Sequence, residues 1–127
     1  MRRAVFDTRF LAELYYSKDA ATKRKLAKEK RCPEKFLSAV SVHEIYKLAL
    51  SLEGRETADL KVALLKSDFE IIAVDEEIAK VSAGLRQKYK LSMGDSMIAA
   101  TAIKLKAPCI TDDPHFRQIE EIKTSWL

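Results

Sequence analysis

Ala4-Val5-Phe6-Asp7-Thr8-Arg9-Phe10-Leu11-Ala12-Glu13-Leu14-Tyr15-Tyr16 passes from a short apolar run through a single carboxylate into a helical pattern. Ala4, Val5 and Phe6 read as a strand ended by Asp7. Phe10, Leu11, Leu14 and Tyr15 then recur on one face of a helix from Thr8 to about Tyr16. The order is strand, acid, helix, and it returns further along the chain.

Phe36 to Val40 reads as a second strand, leading into a helix at Ser41 that carries Val42, Ile45, Tyr46 and Ala49 at helical spacing, with Glu44 in its first turn. Gly54 breaks the chain, and Thr57 begins a helix with Leu60, Ala63 and Leu64 directed inward. Phe69 to Val74 supplies a third strand with its β-branched residues, and Asp75 starts a helix with Ile78, Val81, Leu85 and Tyr89 in register. Gly94 and Asp95 open the most apolar helix, through Leu105, whose small residues permit close packing against a sheet. Pro108 to Thr111 forms a fourth strand, Asp112-Asp113-Pro114 a turn, and Ile122 to Trp126 a short edge strand. Strands alternating with helices predict an α/β domain with a mainly parallel sheet.

The chain has 127 residues, which suits one domain spanning 1–127. Its 47% apolar and 33% charged residues are a globular composition. No apolar stretch approaches the roughly 20 residues of a membrane span, and MRRAVFD reaches a charge too early for a signal-peptide core, so a cytoplasmic protein is expected. Cys32 and Cys109 are too far apart for a C-x-x-C pair and are expected as buried or idle thiols. Residues 1–35 hold eleven Lys and Arg against five Asp and Glu, whereas residues 36–127 hold twelve against fourteen. The helical segment Asp19 to Arg31, with Lys23, Arg24, Lys25, Lys28 and Lys30, is either a phosphate-binding face or a solvated surface helix.

Asp7, Glu44, Asp95 and Asp113 each stand at a strand-to-helix junction or in a first helical turn. In a parallel α/β sheet such ends open on one edge, so these acids can converge. Converged carboxylates repel, and a hard divalent cation with oxygen ligands, magnesium or manganese, relieves the repulsion. The ordinary reading is capping: Asp7, Asp95 and Asp113 suit N-caps, and Ser41-Val42-His43-Glu44 fits a capping box. Capping leaves unexplained why Asp113 follows an apolar strand directly and why Asp95 opens so apolar a helix.

Val5-Phe6-Asp7-Thr8, Ser41-Val42-His43-Glu44-Ile45, Gly94-Asp95-Ser96-Met97-Ile98-Ala99-Ala100-Thr101-Ala102 and Ile110-Thr111-Asp112-Asp113-Pro114-His115-Phe116 together resemble the PIN domain family. Within it the chain is most similar to the VapC-type ribonucleases of toxin-antitoxin pairs, in order and over nearly its whole length. The resemblance implies a three-layer α/β/α domain whose acidic cluster binds one or two magnesium or manganese ions and hydrolyses RNA phosphodiesters. Asp7, Glu44, Asp95 and Asp113 fall on the family's four acidic positions, and Thr8 and Thr111 on positions where a hydroxyl supports the cluster. The pattern is departed from at Arg9, where a small residue is frequent, at Asp112, an added carboxylate, and at His115, where an acid is often found. The fourth ligand therefore stays open between Asp112 and Asp113, with Asp113 favoured. A small antitoxin partner, an RNA substrate and a homodimer are the expected partners; a PIN-like module that has lost catalysis is the alternative.

Such a site positions a water, acidifies it and offsets charge on the phosphoryl oxygens, with no nucleophilic side chain. His43, about 100° from Glu44 on its helix, is expected to be a partly buried polar residue, and His115 an exposed turn residue near the site. Tyr15, Tyr16 and Tyr46 are expected in core or dimer packing. The aspartyl-phosphate hydrolases want a second Asp where Arg9 stands, and the order of acids is wrong for a phosphorylation receiver.

Overall fold

The computed structural model describes residues 2–29 and 32–126. The chain runs β1 (Arg3–Phe6), α1 (Thr8–Tyr16), α2 (Ala20–Glu29), β2 (Glu34–Ser38), α3 (Ala39–Glu53), α4 (Arg55–Asp68), β3 (Glu70–Ile72), α5 (Glu76–Lys88), α6 (Met93–Leu105), β4 (Cys109–Ile110), α7 (Pro114–Arg117) and β5 (Thr124–Ser125). The strands form one sheet in the order β3-β2-β1-β4-β5, and every pairing is parallel. The chain therefore steps outward from β1 to β3, then returns to the other side of β1 as β4. The strand order reverses between β1 and β4, which is where a parallel sheet opens a crevice beyond its carboxyl ends.

Side chains alternate across the sheet, and each face has its own core. Ala4, Phe6, Leu37, Ile71 and Ile110 pack with Phe10 and Leu11 of α1, Leu26 of α2, Ile45 of α3 and Leu65 of α4. Phe6 lies edge-on to Phe10 at 4.8 Å and to Phe69 at 5.2 Å. Val5, Phe36, Ile72 and Cys109 face the opposite way, against Ile78 and Leu85 of α5, Ile98, Ala99 and Ala102 of α6, and Phe116 of α7. The parallel α/β sheet expected from the strand-helix alternation and the three layers implied by the resemblance are thus present, each large apolar side chain contributing about 1.5–3 kcal/mol by its burial.

α6 is buried over most of its circumference, at Ser96, Ile98, Ala99, Ala100, Thr101 and Ala102. Its small residues let α5 approach closely enough for a buried hydroxyl pair, Ser82 and Ser96, at 2.8 Å. Both cysteines are buried free thiols. Among the described residues no helix is long and apolar enough to cross a membrane.

Several element boundaries differ from those the sequence predicts. β2 ends at Ser38 and α3 begins at Ala39, because the Ser38 hydroxyl accepts from the Val40 amide at 3.1 Å and caps the helix there. Ser41 consequently lies inside the first turn, the Ser41-to-Glu44 capping box does not form, and Glu44 stands in the second turn. α4 starts directly after Gly54, whose φ of 87° suits the residue that separates α3 from α4. Leu60 and Leu64, expected inward, are 62% and 56% exposed, and Ala63 is exposed too. The inward row of α4 is Ala58, Lys61, Val62 and Leu65 instead. Lys61 takes a core-facing slot by laying its ammonium over the rings of Tyr15 and Tyr16, 4.9 and 4.2 Å from their centroids, while pairing with Glu53 at 2.9 Å.

Candidate active site

Asp7 stands one residue beyond β1, its amide donating to Ile110 O at 3.0 Å and so fastening it to β4 at the sheet's switch point. It occupies the N-cap position of α1, yet its carboxylate makes no capping bond. Instead Asp7 Oδ2 accepts from the Thr111 hydroxyl at 2.7 Å. The residue is only 4% exposed. Burial is the main reason its pKa rises from 3.8 to about 6; the Thr111 bond opposes the rise, while the charges of Asp95, Asp113 and Glu44 add to it. The three other acids singled out in the sequence therefore all act on Asp7.

Glu44 reaches the same place from α3. Its Oε1 accepts from the Thr8 hydroxyl at 2.6 Å, and the Ser41 hydroxyl lies 2.9 Å from that of Thr8. Its other oxygen lies against Gly94, where a Cβ would stand 3.4 Å from it. A Cβ at position 94 would come into van der Waals contact with the carboxylate, which shows how closely the start of α6 passes Glu44.

Asp95 lies in the first turn of α6 but does not cap it. Ser92 does, its hydroxyl accepting from the Asp95 amide at 3.1 Å, so the Asp95 carboxylate is not spent on the cap, although the Ser92 side chain also bonds to it and tempers its pKa. Its pKa is raised by burial first and by the charges of Asp113 and Glu44 after that. Asp113 does cap α7, Oδ1 accepting from the His115 amide at 2.9 Å, and its own amide donates to the Thr111 hydroxyl at 3.1 Å. Asp95, Asp113 and His115 each offer one ligand atom, and these atoms lie within 4.8 Å of one another.

Asp112 points elsewhere. Its Oδ1 is 2.5 Å from Arg9 Nε, an ion pair that raises the Arg9 pKa. Of the two neighbouring acids, Asp113 lies with Asp95 and His115, whereas Asp112 is engaged with Arg9 beside the cluster. His43 is exposed rather than partly buried: Ser41, Ile45 and Ala49 form the inward row of α3, and position 43 lies about 200° around the helix from Ser41. Cys109, fully buried beneath the cluster, has its thiol pKa pushed up by burial and by the charges of Asp7 and Asp95.

Lys23, Arg24, Lys25 and Lys28 lie exposed on α2, which packs through Leu26. Lys30 and Arg31, the end of the basic segment, lie outside the described residues. Tyr15 and Tyr16 stack with Lys61, whereas the Tyr46 hydroxyl donates to Asp59 at 2.7 Å on the outer side of α3 and α4. Ser92, the contact of Ser41 with Thr8 and the approach of Gly94 to Glu44 are features of the site that the sequence did not single out. Ser92-Met93-Gly94-Asp95 carries its own signal, a serine three residues before an acid at the start of an apolar run.

The PIN domain family matches residues 4–122. The chain belongs to the PIN domain family. Its fold is shared with solved toxin-antitoxin structures. In a toxin-antitoxin complex from Klebsiella pneumoniae the matched chain is 30% identical, with 94% of each chain covered and a TM-score of 0.75. VapBC2 from Rickettsia felis, bound to a DNA fragment from its promoter, matches at 16% identity over 97% of each chain with a TM-score of 0.79. VapC20 of Mycobacterium tuberculosis, a sarcin-ricin loop cleaving toxin, matches at 20% identity over 91% of this chain and 93% of its own, with a TM-score of 0.74. No curated protein matches.

Proposed function

We propose that this PIN domain acts as one unit, a magnesium- or manganese-dependent endoribonuclease, and that it is the toxin of a cytoplasmic toxin-antitoxin pair. The observation that carries the reading is Asp7. The carboxylate of a residue only 4% exposed, with one hydroxyl donor and three further acids acting on it, holds a negative charge that no Lys or Arg among the described residues pairs with. Such an arrangement fits a bound cation, because isolating like charges from water is otherwise costly.

The oxygen-rich donor set suits a hard divalent ion. Asp7, Glu44, Asp95 and Asp113 would hold it. When bound, the cation supplies an acidified water and positive charge beside the phosphoryl oxygens. The chain's own part is positioning. Thr111 fixes one oxygen of Asp7 and, by accepting from the Asp113 amide, ties the two acids together. Thr8 fixes Glu44 across the gap between α1 and α3. Ser92 relieves Asp95 of capping, leaving its charge for the site. Lys23, Arg24, Lys25 and Lys28 would take RNA phosphates without reading sequence.

A small antitoxin would oppose this activity by delivering an Arg or Lys to the anionic cluster. The exposed Leu50, Leu52, Leu60 and Leu64 on α3 and α4 supply apolar surface for association, including a homodimer. Expression of the chain alone is expected to slow growth, and co-expression with the adjacent open reading frame to restore it. A chain that is harmless by itself and copurifies with no small neighbour-encoded protein would exclude the toxin role and leave a housekeeping RNA nuclease.

A further inference from the structure

The turn after β4 carries a nitrogen donor into the acid cluster. His115 is the second residue of α7, and Pro114 ahead of it fixes the backbone at the first helical position. Its amide donates to Asp113 Oδ1 at 2.9 Å, and its Nδ1 lies 3.2 Å from the same oxygen. Backbone and imidazole are thus both gathered around one carboxylate that faces Asp95.

We infer that His115 is a nitrogen ligand of the cation held by Asp95 and Asp113, so that this site favours manganese over magnesium. The inference rests on the cation-dependent reading above and adds a fifth donor to it. The three donor atoms lie within 4.8 Å of one another. Around a six-coordinate ion with bonds of about 2.1 Å, neighbouring ligands stand about 3.0 Å apart and opposite ones about 4.2 Å. Closing the site needs only small movements, and the His115 side chain, 65% exposed, is free to make them. The other acids are held more firmly, Asp7 by Thr111 and Glu44 by Thr8. The adjustable side of the site is therefore the one with the imidazole.

The ring's chemistry sets the preference. Magnesium takes oxygen donors and resists giving up water, so a nitrogen adds little to its binding. Manganese likewise takes carboxylates, and as a transition-metal ion it gains more from an added imidazole than magnesium does, though less than iron, nickel or zinc would. No other residue of α7 offers a comparable ligand.

The chain contains two histidines, His43 and His115, which makes the test clean. The full-length protein, freed of metal and loaded with Mn2+, is examined by pulsed electron paramagnetic resonance for imidazole 14N coupling. Manganese and magnesium affinities are measured by calorimetry on the same samples. The wild type is expected to show the 14N signature, His43→Asn to keep it and His115→Asn to lose it. Manganese affinity in His115→Asn should fall about tenfold, the scale on which single donors tune metal sites, with magnesium affinity changed less than about twofold. His115→Asp should bind manganese without the 14N signal and narrow the preference over magnesium. Manganese bound by the wild type with no imidazole coupling, or with an affinity that His115→Asn leaves unchanged, overturns the inference and leaves the cation-dependent reading standing. A wild type that binds neither ion overturns both.

Discussion

The Thr111 hydroxyl donates to Asp7 Oδ2 at 2.7 Å, joining residues 104 positions apart where β1 and β4 end side by side. Among the described residues it is the one hydrogen bond that the buried Asp7 side chain makes, and it opposes the effects of burial and like charge. Thr111→Val keeps the shape of the side chain and removes the donor. Stability should fall by about 1–3 kcal/mol at neutral pH, the usual cost of stripping a buried charged acceptor of its partner. The Asp7 pKa should rise above its present value of about 6. Chemical denaturation and a carboxyl-resolved titration by nuclear magnetic resonance would check both parts, and an unmoved Asp7 titration would show that the bond has no electrostatic role.

Asp7 also sets a pH dependence for the metal-free protein. Its folded pKa of about 6 lies above its ordinary 3.8, so the folded state binds this proton more tightly than the unfolded chain. Asp7 therefore costs nothing below about pH 4, becomes progressively destabilising between about pH 4 and 6, and reaches a full penalty of about 3 kcal/mol above that range. Asp7→Asn should consequently be more stable than the wild type at pH 7.5 without metal, and the advantage should disappear near pH 4. Parallel melting curves across that range decide the matter: an Asn variant less stable at every pH would mean that the charge is not a burden on the fold.

Asp112 and Asp113 should separate under the same substitution. Asp113 shares the cluster with Asp95, whereas Asp112 is paired with Arg9 at 2.5 Å. Asp113→Asn is expected to lower manganese affinity at least tenfold, as the loss of a direct ligand should. Asp112→Asn should have a smaller effect, and Arg9→Ala should reproduce it, since the two side chains act as a pair. A greater loss in Asp112→Asn, measured by manganese titration, would reassign the ligand.

For the basic helix the expected outcome is electrostatic and sequence-blind. Replacing Lys23, Arg24 and Lys25 with Gln should weaken binding to unrelated single-stranded RNAs alike. The slope of log affinity against log salt should drop by up to about 0.7 for each phosphate that is no longer neutralised. RNA binding with an unaltered slope would place the nucleic acid on another face.

Much of the fold is legible in the sequence because the pattern of strand, acid and helix is both local and repeated. Asp7 after Ala4-Val5-Phe6 and Asp113 after Cys109-Ile110-Thr111 are set by the ends of strands, which apolar runs reveal. The start of α3 is less legible, since Ser38 and Ser41 offer equivalent caps three residues apart. Pairing of Ser38 with Ile72 keeps Ser38 in the sheet and hands the helix to Ala39. Leu60 and Leu64 mimic a core stripe because their spacing is that of any helix face. The inward row is instead Ala58, Lys61, Val62 and Leu65, in which the charged Lys61 finds two tyrosine rings and Glu53. Pairwise interactions of that kind leave no mark on periodicity. The neighbourhood of Glu44 and Gly94 is hidden for the same reason, being a meeting of α3 and α6 that local sequence does not encode.

The most direct measurement compares RNA cleavage by the wild type and by Asp95→Asn, each with manganese and with EDTA, alongside their melting temperatures. Asn preserves the shape of Asp95, and Ser92 rather than Asp95 caps α6, so the fold should hold while the charge for the cation is lost. Cleavage by the wild type in manganese, its abolition by EDTA, and a fall of orders of magnitude in Asp95→Asn at a nearly unchanged melting temperature are the predicted results. Cleavage that survives EDTA, or full activity in the Asn variant, would contradict a cation-dependent acid cluster as the source of the activity.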